Sequence, residues 1–355
     1  MKQISLALSY NDVLLVPQKS DLESRSEVDL STQIAPDIKL DIPLISINMD
    51  TVTGVDMAVE MSRLGGLGFL PRFDKVQIQA ENVSAVARKG GRTVACIGIK
   101  NESVERAKTL LKAGATAISI DIAHAHTTST LETIKKLKNK FPKVSLIVGT
   151  IATYEGAYDL FQAGADTVRV GVGAGTICTT RIVAGSGVPQ ITAIMDATRA
   201  REKFKNRFVL ADGGAVNSGD IVKGLACGAS AVIAGSLFAG TDETPGKIIK
   251  KNGLMYKEYN GSTSKTEKIK QIAKDKNGKE DHYIIHVEGV EALVNYKGSV
   301  SQVVEELCAG IRSGFTYSGA QNIRELWKKA QFVQITNAGF RESQPHDVII
   351  RTIDK

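Results

Sequence analysis

Residues 153–171 read TYEGAYDLFQAGADTVRVG, and this stretch decides the fold. It opens with Thr153, which can cap a helix, continues with apolar residues at a 3.6-residue period, and reaches Gly164 where a helix would stop. An apolar run follows at once. The same unit recurs as SVERAKTLLKAGATAISID at 103–121 and SGDIVKGLACGASAVIAGS at 218–236, with Ser103 and Ser218 as candidate caps and Gly114 and Gly228 as stops. Working outward from these, eight short apolar runs lie at fairly even spacing, at 40–47, 66–70, 93–99, 117–123, 144–151, 167–173, 207–214 and 231–238. Unbroken apolar runs are what strands buried on both faces look like, and parallel pairing needs a crossover helix between successive strands. Eight such alternations predict an α/β chain folded as a (β/α)8 TIM barrel. A doubly wound open sheet is the other arrangement of these units, weakened here by the lack of a G-x-G-x-x-G turn after an early strand.

Residues 244–297 break the rhythm. They begin with an expected hairpin at Asn252-Gly253 and become polar and Lys-rich. Placed between the eighth strand and a final helix expected at 301–311, they read as a flap over the barrel mouth, with a short tail at 339–355. The chain of 355 residues thus reads as a single catalytic barrel domain. Its net charge of +7 suits anionic small ligands; the lysines are scattered and concentrate only at 247–279, a pattern of solvated surface that argues against nucleic-acid binding. Cys96, Cys178, Cys227 and Cys308 lie far apart without C-x-x-C spacing, which speaks against a zinc site and a disulfide framework and for reduced thiols in a cytoplasm. The N-terminal apolar residues are interrupted by Asn11 and Asp12, and no run approaches the length of a membrane span.

The chemistry concentrates in GVGAGTICTTR at 171–181. A lone cysteine is more often an inert small hydrophobe, so the setting must carry the reading. Cys178 stands in a loop of small residues just past an apolar run, flanked by the hydroxyls of Thr176, Thr179 and Thr180, and glycines there let backbone approach a ligand closely. In a barrel, the C-terminal strand ends would gather Ser46, Asn48 and Met49 after strand one, Asp121 and His124 after four, Thr150 after five, and Cys178 after six. Strand seven would end in Asp212-Gly213-Gly214 and strand eight in Gly235-Ser236, the places where barrel enzymes bind phosphate. Asp212 would repel a phosphate but accept hydrogen bonds from ribose hydroxyls, so a phosphosugar or nucleotide is expected. His124 and His126 would point to opposite faces of a strand with no third ligand near, which argues against a metal there.

Several segments together resemble the IMP dehydrogenase and GMP reductase family over nearly the whole chain: LSYNDVLLVPQKS, NMDTVTG, SIDIAHAH, VGVGAGTICTTRIVAGSGVPQITAI, LADGGAVNSGDIVKGLACGA, GSLFAGTDE and RESQPHDV. The resemblance implies an NAD(P)-dependent oxidoreductase, a homotetrameric barrel whose Cys178 attacks C2 of a purine nucleotide. By matching position, Ser46, Met49, Thr176, Asp212, Gly213, Gly214, Gly235, Ser236 and Tyr259 would hold the nucleotide, and Gly261, Ser262, Thr263 and Glu288 would face its base. The cofactor, NAD in a dehydrogenase or NADPH in a reductase, would lie along Asp121, Ile122, Ala123, Thr150, Gly171, Val172 and Gly173. A potassium ion is implied among carbonyls of Gly173, Gly175 and Cys178, completed by Glu342, Ser343 and Gln344 from a neighbouring subunit's tail.

The branch is divided. IVAGSGVPQITAI, VEGVEALVNYKG and RESQPHDV resemble the dehydrogenases. Asn48-Met49, Pro71-Arg72-Phe73, YKEYNGSTS and the lack of a paired regulatory (CBS) insertion, whose usual place holds only RKGGRT, resemble the reductases. The Arg-Tyr pair of a dehydrogenase flap is matched by His282-Tyr283, the flap Glu of a reductase by Lys265 with Glu267 two residues on, the Asn after strand five by Thr150, and the GMGS loop by GSTS. The resulting expectation is IMP dehydrogenase activity in guanine nucleotide synthesis, with His282 as hydrolytic base helped by Tyr283 and Thr180. GMP reductase and a nucleotide-binding regulator that has lost catalysis are the alternatives.

Overall fold

The computed structural model describes residues 4–274 and 285–348. Eight parallel strands close into a barrel: β1 (Leu44–Ser46), β2 (Leu67–Leu70), β3 (Thr93–Ile97), β4 (Ala117–Asp121), β5 (Leu146–Ile151), β6 (Thr167–Val170), β7 (Phe208–Asp212) and β8 (Ala231–Ala234). The ring shuts where β8 pairs with β1, Ile233 opposite Ile45. Every residue of β1, β2, β3, β6 and β8 is buried, which is why these strands read as unbroken apolar runs. Eight helices wrap the ring: α1 (Val55–Arg63), α2 (Val76–Arg88), α3 (Ser103–Lys112), α4 (Thr128–Lys140), α5 (Tyr154–Ala163), α6 (Gln190–Arg201), α7 (Ser218–Ala226) and α8 (Val300–Tyr317). The expected TIM barrel is the fold. Among the described residues no helix is long and apolar enough to cross a membrane.

The helix boundaries follow local chemistry. Thr153 caps α5, its hydroxyl accepting from the Gly156 amide at 3.1 Å, and Gly164 ends the helix in a left-handed conformation. At α7 the cap is Asn217, one residue before the expected Ser218; its side-chain oxygen accepts from the Asp220 amide at 2.9 Å. Ser103 is the first residue of α3 rather than its cap, and Glu102 at the cap position makes no side-chain bond to the helix end. The final helix runs on beyond the expected 311 to Tyr317 because its apolar face continues through Phe315.

The apolar core lies in two shells. One packs the helices onto the outside of the barrel; the other fills its interior, where Ile45, Leu67, Phe69, Ile147, Leu210 and Ile233 meet Ile34, Ile38 and Leu40. Those last three come from an antiparallel hairpin, Thr32–Ala35 with Ile38–Leu40, that plugs the bottom of the barrel. The strand expected from residue 40 therefore starts only at Leu44. Leu40 ends the plug, Asp41 turns the chain, its amide donating to the Gly65 carbonyl, and Pro43 has no N–H to give a ladder.

The flap has a sheet of its own. β9 (Ile249–Lys251), β10 (Leu254–Asn260) and β11 (Glu291–Asn295) are antiparallel, and a helix at Lys265–Lys274 leaves β10. The β9–β10 turn falls at Asn252-Gly253, both with positive φ, as a two-residue hairpin of that sequence requires.

Candidate active site

Gly171 begins the Cys178 loop with φ +156°, and a Cβ there would collide with the Asp212 carbonyl, so glycine lets the loop lie directly on the end of β7. The Cys178 amide then turns back to the Gly175 carbonyl at 3.0 Å. From the far side the flap's return segment pairs with this loop. Cys178 and Gly289 form an antiparallel bridge, the Val290 amide donates to Ile177 and the Thr179 amide to Glu288, each at 3.0 Å. The Glu288 amide donates to Thr263 at 3.3 Å and the Gly261 amide to Val290 at 3.0 Å, so Gly261, Thr263 and Glu288 gather at the cysteine.

This clamp sets a hydrogen-bond chain. Thr180 Oγ1 donates to Glu288 Oε2 at 2.7 Å, and Cys178 Sγ lies 3.1 Å from the same hydroxyl. With the threonine proton given to the carboxylate, the thiol donates to the hydroxyl, and a path runs from sulfur to Glu288. The other three cysteines are buried, and burial pushes the Cys96 and Cys308 thiols up and the Cys227 thiol up to about 12. Thiol reactivity needs access and the thiolate, and of the four cysteines Cys178 alone is half-buried.

At the neighbouring strand ends Asp212 closes β7, and Gly213 and Gly214 follow in left-handed conformations. A Cβ at Gly235 would stand 2.6 Å from the Tyr259 hydroxyl, so the phenol rests on the Gly235-Ser236 turn. Burial pushes the Tyr259 phenol well above its usual range and keeps it a donor. Lys297, unremarked in the sequence, donates to the Ser236 and Leu237 carbonyls at 2.6 and 3.0 Å and brings a cation to the same turn. Ser46 is fully buried and accepts from Thr53 at 2.9 Å, Met49 is buried, and Thr176 is exposed on the loop.

On the opposite side of the mouth, β4 ends in Asp121, and Ile122 and Thr150 are joined by a backbone bond of 2.7 Å. The Thr150 hydroxyl donates to the Ala123 carbonyl at 3.1 Å. Val172 accepts from Arg181 Nε at 3.2 Å, beside Gly173 with φ +69°. His126 pairs with Asp159 at 2.8 Å, and its ring stands edge-on to that of His124 with centroids 6.4 Å apart; the two were expected on opposite faces of a strand, but both lie in the loop past Asp121, which is free to bring them together. Glu342, Ser343 and Gln344 are exposed, with Ser343 and Gln344 bonded to Gly339 and Arg341 of their own turn. His282 and Tyr283 lie outside the described residues. Lys265 is exposed, while Glu267 is buried and accepts from Asn260 and Lys270; the glutamate at Thr180 is Glu288.

The residue that sequence reasoning missed most plainly is Arg169 on β6. It is 2% exposed, and its guanidinium contacts Asp212 at 2.7 Å, Asn48 at 2.8 Å and Asp121 at 3.1 Å. Burial works against its charge, but the two carboxylates more than offset this and hold its pKa above the usual arginine value. The signal was a single charge inside an otherwise uncharged strand, TVRV.

Comparison with known proteins fits this geometry. The profile of the IMP dehydrogenase / GMP reductase domain matches residues 7–346. Inosine-5'-monophosphate dehydrogenase of Cryptosporidium parvum is 39% identical over 98% of this chain and 97% of that protein. The enzyme of the same name from Nitrosopumilus maritimus is 34% identical over 97% and 98%. That second alignment spans 470 positions against 355 residues here, so the relative carries a long stretch without counterpart. A crystal structure of a cysteine-to-alanine variant of GMP reductase from Trypanosoma brucei, in complex with guanosine 5'-monophosphate, superposes with a TM-score of 0.91 at 29% identity over 98% of this chain and 99% of that one. The chain therefore belongs to the IMP dehydrogenase / GMP reductase family of NAD(P)-dependent oxidoreductases.

Proposed function

We propose that the protein oxidises IMP at C2, converting IMP, NAD and water to XMP and NADH in a cytoplasm. The observation that carries this reading is the Cys178–Thr180–Glu288 chain at the barrel mouth. The Cys178 proton passes through Thr180 to Glu288 as sulfur bonds to C2 of the purine. A bound nicotinamide supplies the acceptor for the hydride that C2 then loses. The carbon left on sulfur is a thioimidate, and water attacking it must give up a proton. The C2–S bond then breaks, the proton held by Glu288 returns through Thr180 to the departing sulfur, and His282 with Tyr283 on the flap takes the proton of the water.

The grip on the nucleotide divides by charge. Asp212 accepts from ribose hydroxyls; the phosphate takes the Gly213-Gly214 and Gly235-Ser236 turns, with Thr176 and the Tyr259 hydroxyl as donors. Gly261, Ser262, Thr263 and Glu288 face the base above Cys178, with Ser46 and Met49 on the barrel side. Asp121, Ile122, Ala123, Thr150 and Gly171–Gly173 line the cofactor side.

A potassium ion suits the donor chemistry of the Cys178 loop, where Gly173, Gly175 and Cys178 offer backbone carbonyls and no carboxylate. The Gly175 oxygen accepts one hydrogen bond and keeps a second lone pair. Glu342, Ser343 and Gln344 of an adjacent subunit would complete the shell in a homotetramer, an arrangement supported by their exposure here.

The likeness to a GMP reductase structure favours a second reading, in which GMP and NADPH give IMP and ammonia and the Thr180–Glu288 pair delivers the proton to the departing amine. One experiment separates the two. The pure protein is assayed with IMP plus NAD and with GMP plus NADPH, following absorbance of the reduced cofactor. NADH formation from the first pair is expected; NADPH loss with the second alone overturns the assignment. IMP that protects Cys178 from thiol labelling without turnover in either assay would instead point to a binding protein.

A further inference from the structure

We infer that Arg169 couples the two ligand half-sites, so that a ribose seated on Asp212 improves the binding of the cofactor at Asp121. The inference rests on the nucleotide and cofactor sides proposed above, and goes beyond them in making one buried side chain the link. Arg169 stands between the two carboxylates on the inner face of the barrel. Its Nε and Nη2 both meet Asp212 at 2.7 Å, Nη2 also reaches Asn48 at 2.8 Å, and Nη1 reaches Asp121 at 3.1 Å and Ser119 at 3.4 Å. A guanidinium has five N–H donors in a rigid plane; four make hydrogen bonds here, to Asp212, Asn48, Asp121 and Ser119, and the Nη2–Asp212 approach is an ion pair. Its hydrogen bonds all go to protein, and the side chain is 2% exposed. Arg169 is therefore a positioning residue, acting through the carboxylates it holds.

The geometry gives the link its direction. The plane of Arg169 is packed on one side by the Phe69 ring, 5.6 Å from its centroid, so the fork tilts as a unit. Ribose hydroxyls bonding to Asp212 fix one carboxylate, the shared fork passes that constraint to Asp121, and the cofactor meets an acceptor already ordered. Arg72, 3.2 Å from the other oxygen of Asp121, anchors its outer edge. Lysine at position 169 has a single point of charge and cannot span Asp212, Asn48 and Asp121 together.

The test uses a pair of ligands that cannot react. GMP carries an amino group rather than hydrogen at C2, and oxidised NAD has no hydride to give, so both bind without turnover in either direction. NAD affinity is measured by calorimetry on the full chain alone, with saturating GMP, and with saturating 2',3'-dideoxy-GMP, which keeps base and phosphate but lacks the ribose diol. In the wild type GMP should tighten NAD by on the order of 5-fold more than the dideoxy nucleotide does, a coupling of ordinary size. In Arg169→Lys that difference should vanish, leaving only what stacking of the two ligands supplies. Asp121→Asn, which keeps the Arg169–Asp212 pair, should lose the same difference while binding GMP as before, and it serves if the lysine variant does not fold. Equal effects of GMP and dideoxy-GMP in the wild type, or a full difference surviving in either variant, overturn the inference. A wild type that binds neither GMP nor NAD overturns the oxidoreductase reading itself, a separate result.

Discussion

The two ends of the barrel interior are built from the same strands and hold opposite chemistry. On β4 the inward positions run Ala117, Ser119, Asp121; on β6 Thr167, Arg169; on β7 Leu210, Asp212. Below, Ala117 and Leu210 join the apolar plug formed by Ile34, Ile38 and Leu40, and the Thr167 hydroxyl donates to the Ile34 carbonyl at 2.5 Å. Two residues up β6 and β7, and four up β4, the same face carries a buried cluster of charge. Stability and chemistry are therefore separated by two to four residues along each strand, and substitutions at the two ends should have separable consequences.

The largest effect on turnover is expected at the top. Cys178→Ala should abolish it, because no other described cysteine is accessible, while nucleotide affinity and thermal stability stay near wild type. Activity surviving in that variant, measured as NADH formed per active site, would remove the covalent step. Glu288→Gln should follow, with turnover down by roughly 10²- to 10⁴-fold, the usual worth of a positioned acid or base. Glutamine keeps the bond from Thr180 but cannot take its proton, so Glu288→Gln should still let IMP protect Cys178 from alkylation. Wild-type rates would shift the proton to His282 and Tyr283.

How much of this contrast could be read from the sequence depends on where each residue sits. The cap, helix and stop of the repeated unit are local, and with them the barrel was legible. The plug was not, since a strand buried on both faces and a hairpin filling the bottom are equally apolar, and 40–47 merged them despite Asp41 and Pro43. Asp121 and Asp212 stood out because each ends an apolar run beside polar or glycine-rich residues. Arg169 lies one strand interior away, in a run whose two buried faces give no alternation to mark the inner one. Glu288 meets Thr180 across 108 residues, a contact no spacing rule supplies.

A more modest effect is expected at the tail proposed to reach a neighbouring subunit. Removing residues from 341 onward should lower the rate several-fold and flatten its response to potassium, if Glu342, Ser343 and Gln344 complete a neighbour's ion shell. The intact protein should run faster in potassium than in sodium buffer at equal ionic strength. Equal rates would mean that the carbonyls of Gly173, Gly175 and Cys178 hold no ion that matters to turnover.

The smallest effect on turnover, and the sharpest test of the separation, lies at the bottom. Ile38 is fully buried in the plug, in the interior cluster that also holds Phe69 and Ile147. Ile38→Ala leaves a cavity that the strands around it can fill only in part, and should cost about 2–5 kcal/mol of stability, seen as a lower urea midpoint with an unchanged slope. Per folded molecule, kcat/KM for both substrates should stay within about twofold of wild type, since a twofold change is about 0.4 kcal/mol. The reason is structural. The plug meets the lowest inward layer and shares the Phe69 ring with the charged cluster, whose hydrogen bonds join Asp121, Arg169 and Asp212 to one another and to Asn48 and Arg72. A tenfold fall in kcat/KM at a temperature where Ile38→Ala remains folded would show that the charged cluster leans on the plug, and that the two ends form one mechanical unit.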